Sequence, residues 1–135
     1  MSESSSLPPD ASDDWLQYAA DDLEAAHRAM TSPALPTVAF FHAQQCAEKA
    51  LKAYLLSLGL PRVPRTHDLH HLRTLLVEAG GQVPDDAWIE TADSYPVGVR
   101  YPDTVPPTPA EAREAMAAAE AILQFIRELV LPHEQ

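Results

Sequence analysis

Basic side chains and histidines are concentrated in one stretch, and they define the chemistry that this chain could perform. Between residues 49 and 73, five lysines and arginines stand against one aspartate, a net charge of +4 in a chain of −11 overall. Lysine and arginine can bind phosphate, and histidine can transfer protons near neutral pH. The residues are Lys49, Lys52, Arg62, Arg65 and Arg73, with His67, His70 and His71 among them. The stretch is open to two interpretations, a phosphate site or a solvated basic surface.

The same histidines raise the question of a metal site. His67 and His71 are four residues apart, so they would face the same side of a helix. No third ligand follows at a recognisable spacing, and Cys46 is far away in the sequence. We therefore predict neither a metal nor a cofactor, and we interpret the histidines as structural or nucleotide-contacting groups.

A polar strip interrupts an otherwise apolar helical segment. Gln45, Glu48 and Lys52 recur at steps of three and four residues and so share one face, and His42 is a further polar residue of the segment. Glu48 precedes Lys52 in the order that favours an ion pair. Two interpretations remain open, a solvated strip with one helix-stabilising pair, or a polar groove or dimer-facing patch on a central helix.

Helices separated by proline and glycine are predicted to position these groups. Apolar residues recur at three- and four-residue steps, and the chain is rich in alanine, which favours helix. The predicted helices are 13–30, 36–58, 68–79, 84–94 and 108–131, with an irregular, proline-rich stretch at 95–107. Candidate caps are Ser12 for the first helix, Thr66 or Asp68 for the third, and the Thr108–Glu111 pair for the last. We predict one all-α domain, residues 11–132, after a disordered leader at 1–10, folded as an antiparallel up-and-down bundle of four to five helices.

Composition excludes several classes of protein. No run approaches the roughly 18 apolar residues of a membrane span, so we expect no membrane association. The single cysteine cannot form an internal disulfide, which favours a reducing compartment, and we predict a cytoplasmic protein. The net charge of −11 argues against a surface that coats nucleic acid. The acidic residues of the first and last helices, Asp22 among them, are interpreted as solvated outer faces.

Three blocks of sequence resemble one known family. Residues 41–53, Phe-His-Ala-Gln-Gln-Cys-Ala-Glu-Lys-Ala-Leu-Lys-Ala, are similar to the second-helix signature of HEPN domains, named for higher-eukaryote and prokaryote nucleotide binding. Residues 66–69, Thr-His-Asp-Leu, resemble the next block, and residues 99–102, Val-Arg-Tyr-Pro, resemble the block before the last helix. The blocks occur in the family's order, and the chain resembles a small, stand-alone prokaryotic member.

The resemblance implies a bundle that usually dimerises, with a polar cleft near the dimer axis. Many members are ribonucleases, often toxins, and others accompany a minimal nucleotidyltransferase encoded beside them. The ribonucleases carry an arginine followed four to six residues later by a histidine, near the start of the last helix. Arg100 matches that arginine, but no histidine follows it in range, and the only later one is His133.

Three hypotheses about function follow. The first is a HEPN protein that binds RNA or a nucleotide and acts with a nucleotidyltransferase in a toxin–antitoxin-like pair, without the usual ribonuclease motif. The second is a metal-independent endoribonuclease that uses Arg100 and a histidine recruited from elsewhere, His67 first. The third is a structural homodimer whose polar strip packs against a protein. The predicted RNA- or nucleotide-binding residues are Lys49, Lys52, Arg62, Arg65, His67, Arg100 and Tyr101.

Overall fold

The described part of the chain folds as a bundle of five helices. The computed structural model describes residues 11–94 and 105–130, and every regular element in those ranges is an α-helix. The helices are α1 (Ala11–Ala29), α2 (Pro36–Ser57), α3 (Leu69–Glu78), α4 (Asp86–Ala92) and α5 (Pro109–Val130). The predicted all-α fold is confirmed, and the ends of each helix differ from prediction by at most two residues. The predicted leader, residues 1–10, lies outside the described residues.

The ends of α2 and α5 follow the predicted local signals. Pro36 is in the first turn of α2, and Gly59 after the last turn has φ of +106°, a conformation that costs glycine little. Thr108 Oγ1 accepts a hydrogen bond from the Glu111 N–H at 3.1 Å, and the Glu111 carboxylate accepts one from the Thr108 N–H at 2.9 Å. The predicted capping box is therefore confirmed.

Of the other predicted caps, Asp68 is confirmed, whereas Ser12 and Thr66 are wrong. Ser12 lies inside α1, which begins one residue earlier. Asp68, not Thr66, is the N-cap of α3, and its carboxylate accepts hydrogen bonds from the N–H groups of His70 and His71. Thr66 instead accepts a hydrogen bond from the Asp68 N–H at 3.1 Å. The two polar residues thus fix the chain just before α3 begins.

Helix α2 is the centre of the bundle, and α1, α3, α4 and α5 all pack against it. This explains why its sequence is apolar around so much of its circumference. Much of its core surface is alanine, whose small side chain lets neighbouring helices approach closely. The fully buried alanines of α2 are Ala39, Ala43, Ala47, Ala50 and Ala53.

Helices α1 and α2 run antiparallel. Trp15, near the start of α1, lies beside Lys52 near the end of α2, while Asp22 in the middle of α1 contacts His42 in the first half of α2. This arrangement brings polar residues of α1 onto the polar strip of α2. Across the parts of the chain that the structure describes, no helix has the length and apolar character needed to cross a membrane.

Candidate functional site

The centre of the polar strip is a buried ion pair on α2. Lys52 Nζ donates to Glu48 Oε2 at 2.9 Å, and both side chains are only 5% exposed. The pair predicted from the four-residue spacing is thus present, but it is not the solvated pair of the first interpretation. A buried ion pair needs further polar partners because desolvation of two charges costs free energy. His67 is such a partner, and the ring of Trp15 lies near the lysine.

His67 supplies the second hydrogen bond to the carboxylate. Its Nδ1 lies 2.9 Å from the same Glu48 Oε2, although the His67 side chain is 80% exposed. The loop between α2 and α3, which Gly59 opens and Asp68 closes, carries His67 back onto the side of α2. We call Glu48, Lys52 and His67 the His67 triad. It joins an exposed imidazole to a buried pair of charges.

The triad fixes the tautomer of His67. A carboxylate paired with an ammonium group can only accept hydrogen bonds, so Nδ1 must carry the hydrogen in this contact. Nε2 takes no part in the contact, and in the neutral ring it holds the lone pair. A carboxylate that orients an imidazole in this way leaves Nε2 placed to accept a proton, and once the ring is protonated Nε2 can donate to a phosphate oxygen.

An aromatic residue of α1 lies against the lysine of the triad. Lys52 Nζ is 6.0 Å from the centroid of the Trp15 ring, at the outer limit of a cation–π contact. The Trp15 ring in turn meets the Tyr18 ring edge to face, with centroids 6.0 Å apart. Tyr18 is about half exposed. Helix α1 therefore covers the lysine end of the triad with an aromatic pair.

A second polar cluster lies between α1 and α2, where the interpretation of Asp22 from the sequence is wrong. Asp22 is expected on a solvated face, but its side chain is only 12% exposed. Its Oδ1 lies 2.8 Å from His42 Nδ1, and its Oδ2 accepts from Lys49 Nζ at 2.6 Å. A signal for this burial was present, because Asp22 falls between Ala19 and Ala26 on the buried stripe of α1.

The basic residues of the 49–73 stretch do not share one environment. Lys49 and Lys52 are paired with carboxylates, and Arg73 Nε lies 3.4 Å from Asp86 Oδ1 without hydrogen-bond geometry. Arg62 and Arg65 are exposed on the loop that carries His67. Gln45 is half-buried on the polar strip. Arg100 and Tyr101 lie outside the described residues, as does His133.

The three neighbouring histidines point to different partners. His67 contacts Glu48, while His70 Nε2 lies 3.4 Å from Glu90 and 3.7 Å from Asp93 on α4. Burial raises the pKa of Asp93, and the nearby His70 opposes that rise. His71 is exposed. Within the two described ranges, no three histidine, cysteine or acidic side chains are grouped so as to hold a metal ion.

The described residues thus form an all-helical bundle whose central helix carries a buried ion pair. Comparisons with known proteins identify the family. The family model for the HEPN domain matches residues 12–129. The chain belongs to the HEPN domain family. No curated protein matches it in a sequence search.

Two solved structures share the whole fold. The first, ST0689, described as an archaeal HEPN homologue, is 27% identical with a TM-score of 0.66, over 88% of this chain and 97% of that one. The second, TT1696 from the bacterium Thermus thermophilus, is 33% identical with a TM-score of 0.70, over 87% of this chain and 96% of that one. The resemblance read from three short blocks is thus confirmed over nearly the full domain.

Proposed function

We propose that this HEPN protein binds RNA or a nucleotide at His67 and acts with a minimal nucleotidyltransferase in a toxin–antitoxin-like pair. The observation that supports binding is the His67 triad, in which a buried charge pair orients an imidazole that is 80% exposed. Arg62 and Arg65 are exposed on the same loop and can add phosphate contacts. The nucleotidyltransferase partner is supported by the family members that accompany such an enzyme.

Replacement of His67 by glutamine tests the binding proposal. We expect the affinity for a fluorescently labelled, unpaired RNA to fall about tenfold, the effect of losing one hydrogen bond to a charged group. The measurement is fluorescence anisotropy at fixed salt, because phosphate contacts make affinity salt-dependent. His27→Gln is the matched control, since His27 is exposed at the far end of α1. Equal losses in both variants, or no binding by the wild type, would contradict the proposal.

A second candidate function is metal-independent RNA cleavage, and one contact favours it. Glu48 holds His67 at Nδ1, the arrangement in which a carboxylate orients a histidine for general acid–base work. In this hypothesis Nε2 takes the proton of a ribose 2′-hydroxyl, which attacks the adjacent phosphorus. The bond from phosphorus to the 5′-oxygen then breaks as the 2′-oxygen bond forms, which gives a cyclic phosphate, and the leaving oxygen takes its proton from the protonated His67. Arg100 would stabilise the charge that develops on the phosphate.

The cleavage hypothesis predicts a dependence on His67 that survives chelation of metals. With EDTA present, we expect the wild type to cleave a mixed unpaired RNA, and His67→Gln and Arg100→Ala each to reduce the rate about a hundredfold. Gel analysis of end-labelled RNA measures the rate, and His27→Gln serves again as the control. If the wild type binds RNA without cleaving it, the cleavage hypothesis is wrong and the binding proposal remains.

The protein's assembly and location complete the proposal. We propose a cytoplasmic homodimer, supported by the family resemblance and by the single, buried thiol of Cys46. That α2 is apolar around much of its circumference is not an argument for a dimer, because other helices of the same chain cover it. Light scattering, compared with the monomer mass of 14.8 kDa, tests the dimer, and copurification tests the nucleotidyltransferase partner. A dimer without RNA binding would favour the structural hypothesis instead.

A further inference from the structure

Helix α2 carries the same chemical arrangement twice. In the His67 triad, one carboxylate contacts a histidine Nδ1 and a lysine Nζ. Asp22 does the same, with His42 Nδ1 at 2.8 Å and Lys49 Nζ at 2.6 Å. We call Asp22, His42 and Lys49 the His42 triad. As at His67, the carboxylate contact requires the hydrogen on Nδ1 and leaves Nε2 for another partner.

The order in which the side chains of the His42 triad are exposed to solvent favours an anionic ligand. The Asp22 side chain is 12% exposed, whereas those of His42 and Lys49 are 30% and 28% exposed. The nitrogen donors therefore lie nearer to solvent than the carboxylate that holds them. In the His67 triad only the imidazole lies nearer to solvent, because Lys52 is as buried as Glu48, each 5% exposed. A phosphate that approaches either triad meets the imidazole before the carboxylate, which is screened by its own partners.

The two triads follow one another along a single helix. His42 and Glu48 are six residues apart, so their positions differ by about 9 Å along the axis of α2 and by about 120° around it. Gln45, half-buried, lies between them at steps of three from each. At about 3.4 Å per nucleotide of a stacked strand, the axial distance alone corresponds to about three nucleotides. We therefore expect the two histidines to contact different phosphates.

We propose that the His42 triad is a second phosphate-contacting site, and that the ligand is an unpaired RNA strand of at least three nucleotides. This inference rests on the proposed function, because the His67 triad is the first of the two contacts. The strand lies over the polar strip of α2, with His42 and His67 contacting different phosphates through the Nε2–H of the protonated ring. Gln45 lies in the path of the strand between them.

Histidine ring resonances in NMR spectra test this directly on the wild-type protein. The signals of His42, His67 and His27 are assigned with the three His→Gln variants. A six-nucleotide unpaired RNA is expected to shift the ring signals of His42 and His67 and to leave His27 unchanged. Adenosine monophosphate is expected to shift one triad at most and to bind more weakly. His42→Gln is expected to weaken binding of the hexanucleotide about tenfold.

The outcomes separate this inference from the proposed function. If the hexanucleotide shifts His67 alone, or if the monophosphate binds as tightly as the hexanucleotide, the second site is wrong while binding at His67 stands. If neither histidine responds and the RNA does not bind, the proposed function is itself wrong. His42→Gln removes one contact between α1 and α2, and Lys49→Gln, measured beside it, removes the other contact to Asp22. Lys49→Gln is expected to weaken binding as well, and chemical denaturation verifies that both variants are folded before their affinities are compared.

Discussion

Replacing Lys52 by methionine is expected to lower the free energy of unfolding by about 3–5 kcal/mol, the cost of leaving a buried carboxylate without its ion-pair partner. Methionine keeps the length and apolar stem of lysine, so the packing against Trp15 is retained. The loss therefore reports the charge at Glu48, whose side chain is 5% exposed. Urea unfolding followed by circular dichroism measures the change.

Two controls isolate burial as the cause. Arg28→Met removes a pair of the same spacing and distance, Glu24–Arg28 at 2.9 Å, whose side chains are 61% and 79% exposed. A surface pair contributes little, so we expect a change below about 0.5 kcal/mol. The double variant Glu48→Leu/Lys52→Met removes both buried charges and is expected to recover most of the stability. A small loss in Lys52→Met, equal to that in Arg28→Met, would mean that water reaches the pair.

The local patterns of the sequence were sufficient to predict the helices. Each helix end depends on residues next to it, such as Gly59 after α2 or the reciprocal Thr108–Glu111 bonds before α5. The error at Ser12 has the same local character, since a serine can cap a helix or lie inside its first turn. Which residue caps a helix affects only its terminal turn. An error there moves the helix end by a residue or two and does not change the fold.

The candidate site was predictable only where its contacts are local. The Glu48–Lys52 pair lies within one turn of α2, so its spacing revealed it. Whether the pair is buried depends on which other segments of the chain pack against it, and the sequence of α2 alone does not specify those segments. His67 reaches Glu48 across 19 positions, and Asp22 reaches His42 across 20. Contacts at that separation depend on how helices and loops pack, which periodicity does not encode.

Cys46 is expected to react with iodoacetamide at least about 1,000-fold more slowly in the native protein than in the unfolded chain. Burial, reinforced by the charge of Asp22, raises the pKa of its thiol from 9.0 to about 12, and the thiolate is the reactive form. At a pH below both values, three pKa units correspond to about a thousandfold less thiolate. The chain has one cysteine, so mass spectrometry of the alkylated protein, with and without denaturant, gives both rates unambiguously.

The raised pKa of Cys46 also makes the free energy of unfolding depend on pH, and the direction of that dependence can be derived. Above pH 9 the unfolded chain loses the thiol proton while the folded chain keeps it until about pH 12, so deprotonation favours unfolding. The free energy of unfolding is thus expected to fall as the pH rises through that range. Tyrosines and lysines also titrate there, so the comparison is with Cys46→Ala, in which this part of the fall should be absent.

A native alkylation rate close to that of the unfolded chain would contradict the burial of Cys46 and identify a bundle that opens readily. Cys46 is fully buried on α2, so its thiol becomes accessible only when neighbouring helices separate. It also lies on the same helix as both triads, one turn from His42 and two residues before Glu48. Its reaction rate therefore measures how firmly the helix that positions both histidines is held, and RNA bound along α2 should slow it further.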